Sequence, residues 1–161
     1  MSGVHKRYFE DIAVGHRVTT GEIAVSAAEI ETYCRQFDPQ PHHLDPAAAA
    51  ETVLKEIVAS GWHTTSITMK LLVEGEALGG APIIGMGARE LKWPRAVRPG
   101  DRLHVTAEVI ETRPSSGGRP FGTVTMRVRT LNQDDEVVLE MVTSLIMPTR
   151  RTAGVGAGSG P

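Results

Sequence analysis

Two spacings of apolar residues divide the chain. In its second half they recur at every other position. Leu103, Val105, Ala107 and Val109 alternate with polar neighbours, and Val124, Met126 and Val128 do the same. A period of two predicts half-buried strands. The segment "EVVLEMVTSLIMP", residues 136–148, is apolar on both faces and predicts a central strand. "IIGMGARELKWP", residues 83–94, predicts another, with Pro94 marking its end or a bulge. Pro99-Gly100 fits a type II turn, and "SSGG" at 115–118 a hairpin loop.

The first half follows another rhythm. Residues 17–25, "RVTTGEIAV", are β-branched enough for a first strand. Ser26 and Glu29 then form a Ser-x-x-Glu capping box, in which each side chain meets the other's backbone N–H. It opens a helix over residues 27–36 with Ile30 and Tyr33 on one side. Asp38 and Gln40 each precede a proline and are pushed out of helical geometry. Asp45 suits an N-cap and Pro46 a first helical position, predicting a second helix to about Ile57. A third helix starts within residues 60–63 and ends by Gly75 or Gly79. Between Trp62 and Leu72 only His63 and Lys70 are titratable, a composition that predicts a buried helix. A strand, helices and four more strands give an α+β domain, a five-stranded antiparallel sheet around one buried helix.

Composition narrows the partners. The 161 residues suffice for one core, and residues 1–150 are expected to form one domain. Residues 151–161, "RTAGVGAGSGP", are expected to be a disordered tail. A net charge of −2 lacks the basic footprint of a nucleic-acid binder. No apolar run reaches membrane-spanning length, and the polar N-terminus carries no signal-peptide core. The single cysteine, Cys34, rules out an internal disulfide and suits a reducing cytoplasm.

The chemistry concentrates in "FDPQPHHLD", residues 37–45. Two carboxylates and two histidines stand in a loop restricted by Pro39 and Pro41. Any one of these residues has a structural explanation, Asp45 as a cap and the prolines as turn formers. Together they offer an acid and a base held in fixed geometry, which proton transfer requires. Adjacent histidines without a spaced partner make a poor metal site. No Gly-x-Gly-x-x-Gly nucleotide fingerprint or Gly-x-Ser-x-Gly elbow is present. Cys34 is expected simply to pack. Ser60-Gly61 opens the third helix, where glycine either relieves crowding or exposes backbone N–H groups to an anionic ligand atom.

Asp38-Pro39-Gln40-Pro41-His42-His43, followed by "ASGWHT" with Gly61, resembles the Asp-x-Asn-Pro-x-His signature of the MaoC-like dehydratases. That family includes the (R)-specific enoyl-CoA hydratases. The resemblance runs from about Tyr8 to Pro148 and includes "VRPGDRL", similar to the family's turn into a long strand. It implies a hot-dog fold, a curved antiparallel sheet wrapped around a long helix. It also implies a homodimer or dimer of dimers, with a tunnel admitting a coenzyme A thioester, and no cofactor. Carried over, Asp38 takes a proton from water attacking C3 of a trans-2-enoyl thioester, and His43 delivers one to C2. The Gly61 N–H stabilises charge on the thioester oxygen. Phe37, Gln40, Ser60 and Trp62 are then expected to line the substrate site. Gln40 stands for the signature's asparagine, Phe37 for a common glycine and His42 for an apolar residue, so pocket shape departs from the pattern.

Two rival functions are an acyl-CoA thioesterase of the same fold and a non-catalytic acyl-CoA-binding subunit. The paired Asp38 and His43 favour hydration over either. Trp62 either caps a short-chain pocket or lines a deep one. Arg89, Lys92, Arg95 and Arg98 suit coenzyme A phosphates or a soluble strand edge equally well.

Overall fold

The structure is a computed structural model and describes residues 6–80 and 84–150. The expected tail from 151 onward and residue 83 of the expected strand lie outside the described residues. After a short 3-10 turn at Phe9–Asp11 come strands β1 (Arg17–Thr19) and β2 (Ile23–Ala24), then helices α1 (Ala27–Phe37), α2 (Pro41–Leu44), α3 (Pro46–Ala50) and α4 (Gly61–Glu74). Four strands complete the chain: β3 (Ile84–Lys92), β4 (Arg102–Pro114), β5 (Phe121–Leu131) and β6 (Val137–Pro148). The sheet has six strands in the order β1-β4-β5-β6-β3, with β2 also on β4. Every pairing is antiparallel. With α4 held against it, this is the hot-dog arrangement.

The alternation in the sequence becomes the inner face of the sheet. Leu103, Val105, Ala107, Val109, Val124, Met126 and Val128 are all buried in one core with Ile67, Leu71 and Leu72 of α4. As expected of a strand apolar on both faces, β6 is flanked on each side, by β5 and β3. Gly100, with φ of 94°, takes the left-handed position of the turn whose Asp101 N–H returns to Arg98 O at 3.1 Å.

Three expectations need correction. The single strand over 17–25 is two short ones, which is why the sheet has six strands and not five. The Thr20 hydroxyl accepts the Val105 N–H at 2.9 Å and takes a backbone carbonyl's place in the ladder. The helix from Pro46 stops at Ala50, far short of Ile57. There the Thr52 hydroxyl donates to Ala49 O at 2.8 Å and accepts the Leu54 N–H at 3.2 Å, and Lys55 turns to φ of 62°. Such local bonds compete with helix continuation. Finally, α4 is not buried all round, since Trp62, Met69 and Val73 are exposed.

Several hydroxyls on α4 bond back into the helix itself. Thr65 Oγ1 reaches Gly61 O at 2.9 Å, Ser66 Oγ reaches Trp62 O at 3.0 Å, and Thr68 Oγ1 reaches Thr64 O at 2.8 Å. Thr68 Oγ1 also meets Thr130 Oγ1 of β5 at 2.6 Å, with both residues fully buried. Since Thr68 donates to its own helix, Thr130 is the donor across the gap. Thr68→Val should therefore cost roughly 1–3 kcal/mol by orphaning the Thr130 hydroxyl. The Thr68→Val/Thr130→Val double variant should recover most of that loss, as measured by urea unfolding.

Candidate active site

The C-terminal end of α1 and the N-terminal end of α4 meet at Asp38. This residue ends α1, its N–H bonded to Cys34 O at 3.0 Å. Proline then forces the chain to turn, and Pro41 restarts it as the first residue of α2. That one-turn helix, which the sequence pattern did not reveal, carries His43 back toward Asp38. Nε2 of His43 stands 3.5 Å from Asp38 Oδ2.

Each member of the pair is held by further bonds. His43 is buried, and its Nδ1 lies 2.8 Å from the Val58 carbonyl oxygen. A carbonyl only accepts, so Nδ1 carries the hydrogen and Nε2 is the ring nitrogen turned to Asp38. Gln40 Nε2 donates to Asp38 Oδ1 at 2.8 Å. The Ser60 hydroxyl, together with this Gln40 amide and the nearby His43 and His42, holds the Asp38 carboxyl below its usual range despite partial burial. Asp38 is thus a stable carboxylate at neutral pH.

Ser60 is the N-cap of α4, its Oγ accepting the Trp62 N–H at 3.2 Å. Gly61 is the first helical residue, a position whose N–H has no intrahelical acceptor. A Cβ there would lie 2.6 Å from the indole of Trp93, so crowding is real at this glycine and comes from a side chain. Below the loop, the Ser60 backbone N–H acts to lower the pKa of the Cys34 thiol. Burial, chiefly, and the Asp38 charge raise the Cys34 pKa, keeping it a packed thiol.

A pocket of about 320 Å³ opens beside this cluster, lined in part by His42, His43, Gly61, Thr64, Trp93 and Arg95. Trp93 and His42 have no assigned place in it on sequence grounds, and Arg95 is there a candidate for coenzyme A phosphates or a soluble strand edge. An aromatic residue fixed by a following proline at a strand end was the available signal for Trp93. The other proposed substrate contacts divide. Gln40 and Ser60 hold Asp38, Phe37 and Trp62 are 63% and 57% exposed, and none of the four lines the pocket. Trp62 packs edge-on against Trp93 with ring centroids 5.3 Å apart. Phe37 lines a second, shallow depression with Tyr33, Gln36 and His63. Among the described residues no group of three or more His, Cys, Asp or Glu is placed to hold a metal ion.

Comparison with known proteins identifies the family. Residues 11–131 match the family described as the MaoC like domain. The chain belongs to the MaoC-like dehydratase family. A MaoC-like dehydratase structure from Rhodospirillum rubrum is 42% identical, with TM-score 0.81 over 89% of this chain and 98% of that one. The R-hydratase PhaJ1 of Pseudomonas aeruginosa is 26% identical, with TM-score 0.73 over 89% of this chain and 86% of that one. Mesaconyl-CoA hydratase of Cereibacter sphaeroides is 37% identical over 159 residues, 91% of this chain but 43% of that protein. The uncharacterised YdeM of Bacillus subtilis is 28% identical, over 86% of this chain and 96% of its own length.

His63, one turn into α4, is buried and stacked on Tyr33 with ring centroids 4.5 Å apart. Its Nδ1 has no hydrogen-bond partner. Burial lowers its pKa from the usual 6.5, opposed by Glu29. The unfolded chain therefore binds this proton more readily than the native one, and native stability falls as pH drops below about 6.5. The decline levels off once the folded-state pKa is passed. His63→Leu should flatten the loss of thermal midpoint between pH 7 and pH 5, measured by calorimetry across that range.

Proposed function

We propose that the protein is an enoyl-CoA hydratase, adding water across a trans-2-enoyl thioester or removing it from the 3-hydroxyacyl thioester. The observation that carries this reading is the facing pair of Asp38 Oδ2 and His43 Nε2, 3.5 Å apart, of which His43 lines a pocket that Gly61 also lines. The hydratases among the similar proteins support it.

Hydration needs one proton taken from water and one given to C2. Asp38, already ionised, accepts the first as the water oxygen bonds to C3. His43, protonated on both nitrogens at the start of the cycle, gives its Nε2 proton to C2. The pair then stands as a neutral acid and a neutral imidazole. Transfer of the Asp38 proton to Nε2 restores the starting state, and dehydration runs through the same groups in reverse. As negative charge builds on the thioester oxygen, the Gly61 N–H at the positive end of α4 stabilises it.

With crotonyl-CoA as substrate, followed by loss of enoyl-thioester absorbance, Asp38→Asn should lower kcat by roughly 10²–10⁴-fold. His43→Ala should do comparable damage. The double variant should cost far less than the product of the two, because the residues act as a unit. Asp45 provides the contrast, for its carboxylate only caps α3 through the Ala47 N–H at 2.9 Å. Asp45→Ala should cost about 0.5–2 kcal/mol of stability and leave turnover nearly intact. His42, for which the sequence suggested no role, is unsuitable as a control because its ring packs 4.1 Å from that of His43. Release of free thiol from a saturated acyl-CoA, without hydration of crotonyl-CoA, would replace this reading with a thioesterase.

The same proposal includes a homodimer. Among the described residues β3 ends the sheet with one edge unpaired, and Ile84 and Met86 on it are exposed. Trp62, Met69 and Val73 on α4 add an exposed apolar stripe at helical spacing. A second copy pairing β3 with β3 covers both and leaves no open edge there. Sedimentation at micromolar concentration should show a dimer; a monodisperse monomer would refute it.

A further inference from the structure

Among the described residues Arg95 is the one permanently charged side chain lining the pocket shared by His43 and Gly61, and no carboxylate joins it on that wall. Leu54, Val58, Ala59 and Val97 make much of the remainder apolar. Arg95 is half exposed, and its one ion-pair partner among the described residues, Glu136, does not line the pocket.

The guanidinium is held from behind. Its Nε lies 3.1 Å from Glu136 Oε1, and the other oxygen of Glu136 accepts from Asn132 Nδ2 at 3.1 Å. Asn132 is itself buried in the turn between β5 and β6, where its Oδ1 accepts the Asp134 and Glu136 N–H groups, each at 3.0 Å. Pro94 fixes the backbone immediately before Arg95. Glu136 thus occupies Nε and leaves the two terminal nitrogens of Arg95 without a partner among the described residues. Those two nitrogens form the planar fork that receives a carboxylate or phosphate. Neighbouring Arg98 is likewise held at Nε, by Glu56 at 2.6 Å, but does not line the pocket.

We propose that Arg95 recognises a carboxylate on the acyl group, so that the preferred substrate is an enoyl thioester of a dicarboxylic acid. This rests on the hydratase reading above and specifies the substrate class for that site. A coenzyme A phosphate offers the same anionic chemistry, but it lies at the far end of the pantetheine arm from the thioester. Arg95 lines the same pocket as His43 and Gly61, the groups assigned to C2 and the thioester oxygen, which favours an anion on the acyl group.

The test compares kcat/KM for crotonyl-CoA with that for glutaconyl-CoA and mesaconyl-CoA, which share the coenzyme A part and differ in a carboxylate. At least one dicarboxylic thioester should exceed crotonyl-CoA. Arg95→Gln should reduce that ratio roughly 10- to 100-fold, the scale of a charge-assisted hydrogen bond. Arg95→Lys should reduce it less, and Arg98→Gln should leave it unchanged. Circular dichroism should show Arg95→Gln folded, because the side chain is half exposed. A wild-type preference for crotonyl-CoA, or an unchanged ratio in Arg95→Gln, overturns the inference and leaves the hydratase reading standing. An equal fall for charged and uncharged substrates assigns Arg95 to the coenzyme A phosphates and also overturns it. Failure to hydrate any of the three overturns the hydratase reading itself, and the inference with it.

Discussion

The candidate site depends on what Ser60 does with one hydroxyl and one N–H. The hydroxyl accepts from the Trp62 N–H to cap α4 and also stabilises the Asp38 carboxylate. The N–H acts electrostatically on the Cys34 thiol of α1, lowering its pKa against the effect of burial. One buried residue therefore joins the end of α1, the start of α4 and the carboxylate between them. Without it, the Asp38 charge and the Gly61 N–H would belong to separate helices with no common reference. A buried serine can serve this way because its hydroxyl both donates and accepts. Alanine would leave the cap and the carboxylate each short of a partner, which is costlier than the loss of one hydrogen bond.

The histidine reaches the same frame by a different route. Backbone rigidity does the work that packing does at Ser60. Gln40 N–H returns to Asp38 O at 2.8 Å and Asp45 N–H to Pro41 O at 2.8 Å, so the loop is closed at both ends. Pro39 and Pro41 remove alternatives from the unfolded loop as well as the folded one. The carbonyl of Val58 then selects the tautomer of His43 from outside the loop. Sequence-local constraint sets the spacing, and a residue from the following segment sets the chemistry.

This division explains what could be read in advance. Leu103 to Val109 and Val124 to Val128 declared their buried face because strand alternation is local and strict. Ser26 with Glu29, and Asp45 with Pro46, declared helix starts for the same reason. Asp38 and His43 were legible because two prolines and a family-like signature surrounded them. Trp93 and His42 were not assigned to the pocket, and Arg95 stood between coenzyme A phosphates and a strand edge, because their positions follow from long-range packing. The early stop of α3 was hidden in Thr52, whose hydroxyl outcompetes four favourable alanines only once its bonds are formed. Exposure of Trp62 and Met69 misled in the other direction: a helix that reads as buried has a face left for something besides its own sheet.

The back-bonded hydroxyls of α4 have a thermodynamic consequence. Thr64, Thr65 and Thr68 are branched at Cβ and have few rotamers to begin with. Their bonds to carbonyls one turn back remove much of the remaining freedom. Lysine, methionine or glutamine at these places would surrender far more side-chain entropy on becoming ordered. The helix bearing Gly61 thus reaches its final arrangement with little disorder left to lose, and a substrate docking at its first turn meets a surface that is already still.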